Sequence, residues 1–333
     1  METGMMMLIL LSSIALLIFL ILTVKIHTFV ALIATCAYAG IATGMPLPQI
    51  ATSIEKGMGG TLGFLATVIG FGTILGKMLE VSGGAECLAW TLLKKMGEQR
   101  APWVMAIVGF IAGIPVFFEV GFVLLFPLIF VVARQAKMSL LTVGIPLAVS
   151  LMVVHCMVPP HPAAFAVTVA LGADVGKVIG YALLIGIPTA VIAGPIWTKF
   201  ISKHTRGASS EVAVKAPTPI EELPGFGITL FTILLPLLIM VGKTISVLFL
   251  AKDAAILPLV TFLGNPITAL FISVFVSYYT LGIVRGKTRK ELLSLTEQCF
   301  GPIAGILLII GGGGAFNQIL LDSGLGKDRR SVV

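Results

Sequence analysis

SLLTVGIPLAVSLMVVHCMVPPHPAAFAVTVALGA, residues 139–173, contains no Asp, Glu, Lys or Arg. A helix crosses a bilayer core in about 20 apolar residues, so this stretch is long enough to enter a membrane. It is not one continuous helix. Pro159, Pro160 and Pro162 carry no backbone N–H and restrict the residues before them. Irregular backbone at membrane depth is tolerated only against protein or a water-filled cavity. The break is therefore a signal of fold and of site together.

The same lack of charge recurs at 3–24, 26–54, 57–76, 254–284 and 298–321. The 333-residue chain is 57% hydrophobic and 11% charged, with a mean hydropathy of +1.08. Soluble domains carry about 25% charged residues, so a soluble enzyme of this length is excluded. The runs are continuous and lack the alternation of barrel strands. The fold class is an all-α polytopic membrane protein, a helical bundle with broken or re-entrant helices. The first run begins almost at Met1, has no basic leader, and ends at Lys25, so it reads as a span and not as a signal peptide. The net charge of +7 sits in short loops. There it sets topology and does not indicate a nucleic-acid partner.

Candidate spans are 5–24, 26–44, 61–79, 101–133, 139–158, 178–199, 225–250, 259–283 and 301–321. Residues 101–133 are too long for one crossing, and a break or hairpin near Gly113–Glu119 is expected. The basic loops are Lys94/Lys95/Arg100, Arg134/Lys137, 199–215 and 285–290. All four fall on the cytoplasmic side if 101–133 makes two short passes and 139–199 goes down and back.

Ile69–Gly83 (IGFGTILGKMLEVSG) aligns with Ile310–Gly324 (IGGGGAFNQILLDSG). The identical pairs are Ile69/Ile310, Gly70/Gly311, Gly72/Gly313, Leu79/Leu320, Ser82/Ser323 and Gly83/Gly324. Paired glycine-interrupted spans are a mark of secondary transporters with repeats. The expected organisation is a first transmembrane half at 1–200, a cytoplasmic linker at 201–224, the start of a second half at 225–326, and a polar tail at 327–333. On this reading the second repeat is incomplete and the chain is C-terminally truncated.

Ionisable groups inside membrane segments are costly and mark function. Glu119 is the one charge between Arg100 and Arg134, and a carboxyl that gives up its charge by taking a proton suits a carrier. His161 lies inside the Pro-Pro-His-Pro break, where it suits anion binding or proton relay near neutral pH. His155 reads as a satisfied helix residue. Lys77 and Glu80 lie one turn apart and pair on one face, with Lys77 a candidate anion contact. Gly311, Gly312, Gly313 and Gly314, followed by Asn317 and Asp322, either expose backbone N–H groups to a carboxylate or serve close helix packing. Cys36, Cys87, Cys156 and Cys299 are dispersed and read as small hydrophobes. No metal cluster, Walker motif or redox-cofactor pattern is visible. Transport is expected to be gradient-driven, without a cofactor.

Gly70-Phe-Gly-Thr-Ile-Leu-Gly-Lys-Met-Leu79, Phe118-Glu-Val-Gly-Phe122, Pro159-Pro-His-Pro162, Ala193-Gly-Pro195, Gly311-Gly-Gly-Gly-Ala-Phe-Asn-Gln318 and Asp322-Ser-Gly324 together resemble the gluconate:proton symporter (GntP) family. The resemblance covers residues 5–326. It implies a multi-pass permease of the bacterial inner membrane, two inverted repeats with re-entrant hairpins, and uptake of gluconate or a related sugar-acid anion by proton symport. Ala163 and Ala164 stand where the family usually has Gly-Pro, which leaves the substrate open among gluconate, ketogluconate, glycerate and D-serine. From the residues themselves, the expected roles are proton coupling at Glu119, then His161, and substrate contact at Lys77, Pro160, His161, Gly311–Gly314, Asn317 and Asp322. The oligomeric state stays open. The rival reading is a membrane remnant that inserts without transporting.

Overall fold

The long charge-free runs become helical, in one piece or in two, because a backbone out of water must satisfy its own hydrogen bonds. A computed structural model describes residues 3–115, 118–201, 222–251 and 253–326. In order the helices are α1 (Thr3–Leu22), α2 (Thr28–Ala42), α3 (Leu47–Val81), α4 (Gly84–Met96), α5 (Ala101–Gly113), α6 (Phe118–Gln135) and α7 (Leu140–Met157). They continue with α8 (Pro162–Ala170), α9 (Val175–Val191), α10 (Trp197–Ile201), α11 (Phe226–Phe249), α12 (Leu257–Leu263), α13 (Pro266–Ser277) and α14 (Arg289–Asp322). No strand occurs among the described residues. Among the described residues, seven helical segments are long and apolar enough to cross a membrane. Large apolar side chains stand exposed along them, among them Leu184, Ile185, Ile187, Ile196 and Phe200 on the α9–α10 segment. Such a surface suits lipid and not water.

Three boundaries differ from the sequence expectation. Spans 61–79 and 301–321 are parts of the longer helices α3 and α14. The α14 extension, residues 289–297, consists largely of good helix formers that hydropathy leaves out, and the α3 extension holds the charged pair Glu55 and Lys56. Residues 84–96, outside every candidate span, form helix α4, which takes in Lys94 and Lys95 of the expected basic loop, with Ala85, Cys87, Leu88, Ala89 and Leu93 buried. The segment 259–283 is split at Gly264, where the Asn265 side chain accepts the Ile267 N–H at 2.9 Å and Pro266 opens α13. The expected break in 101–133 is present, between α5 and α6. Of the expected linker, 202–221 lies outside the described residues, as does the tail 327–333.

The chain forms two compact units, residues 1–67 with 300–333, and residues 68–299. These are units of packing, a different property from the repeat halves expected above. In the first, Gly57 on α3 lies so near Gly314 on α14 that an added Cβ meets the Gly314 carbonyl at 2.5 Å. The two helices run antiparallel there, since Ser53 meets Asp322 while Met58 and Leu62 meet Gly311. Cys36, Ala39, Ile50, Ala315 and Ile319 form the buried cluster of this unit.

In the second unit α5 and α6 both pack on α7. Gly109 places α5 against the α7 backbone, and a Cβ there would stand 2.6 Å from the Leu147 carbonyl oxygen. Gly113 sits against Leu151 and Val154, and Gly144 against Ile129 of α6. The Gly109→Ala variant is expected to lose about 1–3 kcal/mol, because backbone cannot yield as a side-chain tip can. Gly180→Ala, with open space around it, is the control. Thermal unfolding in one detergent compares them.

The repeated Leu-x-x-Ser-Gly endings have a shared physical role. Gly83 closes α3 at φ +72° and Gly324 follows α14 at φ +80°, a backbone region that glycine enters without steric cost.

Candidate functional site

Two helix breaks of the second unit face each other. The first separates Gly113 from Phe118, and the second separates Met157 from Pro162. A helix end leaves carbonyls without partners at its C-terminus and N–H groups without partners at its N-terminus. Two imidazoles meet two of these groups. His161 Nε2 lies 2.7 Å from the Gly113 carbonyl oxygen at the end of α5. A carbonyl only accepts, so this nitrogen carries the hydrogen. The Phe118 N–H at the start of α6 donates to His155 Nδ1 at 3.4 Å. The two rings are 4.9 Å apart. His161 is 4% exposed, and Pro159 and Pro160, joined by a cis peptide, are buried beside it.

Glu119 follows Phe118 in the first turn of α6, where the helix dipole favours negative charge. His161, Pro160 and the α6 start are thus brought together around the paired breaks, with the added participation of His155. The signal for His155 lay in its place six residues before His161, across a proline break that folds the chain back. Lys77 is placed elsewhere on this unit. It pairs with Glu80 at 2.9 Å, as expected from the spacing, and both are partly exposed.

The remaining sequence candidates lie on α14 in the first unit. The helix runs unbroken through Gly311–Gly314, so its backbone N–H groups are engaged in the helix ladder. Gly311 packs on Leu62, Gly312 on Leu32 and Gly314 on Thr61, which is the packing alternative of the sequence reading. Asn317 is exposed. Asp322 accepts from Ser53 Oγ at 2.7 Å and from Gln318 Nε2 at 2.8 Å.

One polar cluster was missed. Lys243 is the sole charge in α11, a signal present in the sequence. Its Nζ pairs with Asp174 at 3.0 Å, and Thr244 Oγ1 donates to the same carboxylate at 2.9 Å. The backbone N–H of Lys177 adds a third bond, with Asp174 capping α9. Burial pushes the Asp174 carboxyl up, but hydrogen bonds from Lys243, Lys177 and Thr244 outweigh it and hold it below the usual carboxylate range. Gly264 admits the Lys243 stem at the α12–α13 break. Lys243→Met is expected to lower stability by about 1 kcal/mol at neutral pH, since both groups are partly solvated. A carboxylate held low when folded stabilises above its unfolded value, and that contribution fades as the carboxyl protonates. The gap between wild type and variant therefore shrinks below about pH 4, as thermal melts at several pH values check.

The family model described as GntP family permease matches residues 5–332. The chain is 49% identical over 331 residues to the D-serine transporter DsdX of Escherichia coli (strain K12), covering 97% of this chain and 73% of that protein. It is 42% identical over 313 residues to a gluconate permease of Pseudomonas aeruginosa, covering 93% and 70%. It is 36% identical over 315 residues to the Gnt-II system L-idonate transporter of Escherichia coli (strain K12), covering 95% and 72%. No solved structure matches the chain.

Proposed function

This chain belongs to the GntP permease family, and from that premise we propose that it takes up a small hydroxylated carboxylate, gluconate first, together with a proton. The protein is a multi-pass membrane permease and not an enzyme. The observation that carries the proposal is the pair of facing helix breaks, the two ends of the α5–α6 break each met by an imidazole from beside the α7–α8 break. Broken membrane helices with polar ends are how secondary transporters present backbone dipoles to a charged substrate. Here the α6 N-terminus offers N–H groups to a carboxylate. Pro160 and His161 shape the opposite wall. Glu119 is the first coupling group and His161 the second. Lys77, already paired with Glu80, supplies a weaker attraction for an anion. Asn317, exposed on α14, is a separate candidate for reading hydroxyls.

D-serine is the second reading, favoured by the 49% identity to a D-serine transporter. Both compounds carry a carboxylate beside polar substituents, so the shared chemistry precedes the choice. Uptake of labelled gluconate and of labelled D-serine, in cells without other permeases for them, decides between the two. Abolition by an uncoupler supports proton coupling. Uptake of neither compound, by a chain shown to be in the membrane, overturns the proposal.

A further inference from the structure

The two imidazoles at the paired breaks hold opposite ends of one hairpin, and they respond to a proton in opposite ways. His161 acts as a donor, through Nε2–H to the Gly113 carbonyl. Protonation at Nδ1 leaves that Nε2–H in place, so α5 stays held. His155 acts as an acceptor, through Nδ1 to the Phe118 N–H. Protonation at Nδ1 turns an acceptor into a donor facing another donor.

We propose that His155 is a protonation-controlled latch that holds the first turn of α6 when neutral and releases it when charged. The idea rests on the proton-coupled reading above and names the moving part. One proton is bound at Nδ1, and one hydrogen bond, to Phe118, is lost. Two charged imidazoles with ring centres 4.9 Å apart repel strongly, so the pair holds one proton at a time. With the proton on His161, both ends of the hairpin are held. With the proton on His155, the turn that carries Glu119 is freed. His155 is thus a positioning residue acting through α6.

The elements packed on α7 carry few other ionisable groups. Helices α5 and α8 have none. Helix α6 carries Glu119 and Arg134, α7 itself Cys156, α9 Lys177 and Tyr181 with Asp174 at its cap, and α10 Lys199. Within this set, the imidazoles are the groups whose ordinary titration falls between about pH 5 and 8.

Hydrogen–deuterium exchange on the full chain in lipid nanodiscs tests the latch. The readout is exchange of a peptide spanning 118–122 divided by that of one spanning 140–154, which cancels the intrinsic pH dependence. In the wild type this ratio is expected to rise about tenfold between about pH 8 and pH 5. In His155→Asn, whose side-chain oxygen replaces the Nδ1 acceptor and does not titrate, the ratio is expected to stay flat. The variant's substrate accumulation is expected to fall about tenfold and lose its acid stimulation. A flat ratio in the wild type overturns the latch without reference to any variant. An equal rise in both proteins overturns it too. Uncoupler-insensitive uptake by the wild type sinks the proton-coupled reading instead, while the exchange ratio still decides the latch.

Discussion

His161→Leu is expected to reduce uptake by about 100-fold or more, with part of the loss structural. The buried Gly113 carbonyl then loses its partner, at a cost of about 1–3 kcal/mol for an unsatisfied buried group. The end of α5 is no longer tied to the α7–α8 break, and the facing ends drift apart. His161→Gln separates this effect from proton chemistry. Its amide nitrogen reaches about as far as Nε2 and still donates to a carbonyl, yet it takes up no proton near neutrality. The Gln variant is expected to melt within about 0.5 kcal/mol of wild type and to lose accumulation while keeping substrate exchange. Melting curves in detergent and uptake in proteoliposomes report the two properties. Equal melting of the Leu and Gln variants removes the structural role of the Gly113 contact.

Much of the fold was legible because solvent, not packing, dictates it. In hydrocarbon every backbone group needs a partner, so each charge-free run had to be helical. The proline cluster at 159–162 and the glycines and proline at 109–115 marked the two breaks for the same reason. Composition failed where a helix leaves hydrocarbon. Helix α4 keeps one apolar face and ends in Lys94 and Lys95, so hydropathy passed over it. Helix α14 continues past its apolar part on good helix formers, and α3 continues through Glu55 and Lys56. Asn265 was legible as a cap in principle, since Asn before Pro opens a helix, but it sat inside an apparently continuous run.

The site was legible as residues and not as geometry. Sequence placed His161 in a break and Glu119 at a hairpin. Nothing local shows that one break faces the other, or that His155 meets Phe118 across 37 positions. Lys243 and Asp174, separated by 69 positions, illustrate the same limit. A lone charge announces that it needs a partner, but only tertiary packing names one. Gly311–Gly314 show the reverse case. Glycine permits unwinding and close approach equally, and the contacts of Gly314 with Thr61 and Gly57 show close approach.

Glu119→Gln is expected to abolish accumulation outright while exchange of substrate across the membrane persists. Gln has nearly the volume of Glu and keeps hydrogen-bonding capacity, so the first turn of α6 is expected to form as before. What it lacks is a titratable proton. A carrier that moves its substrate without a proton only equilibrates it. For an anion the outcome is worse, because an inside-negative potential of 100 mV opposes entry by about 2.3 kcal/mol per charge. That corresponds to an inside concentration roughly 50-fold below the outside one. For D-serine, which bears no net charge near neutrality, the uncoupled limit is a ratio of about one. The variant therefore reports substrate charge as well as coupling. Counterflow with labelled substrate measures the retained exchange, and accumulation under an imposed potential measures the loss. Wild-type accumulation by Glu119→Gln moves the coupling proton to His161, where the latch geometry of His155 already supplies a route from proton binding to movement.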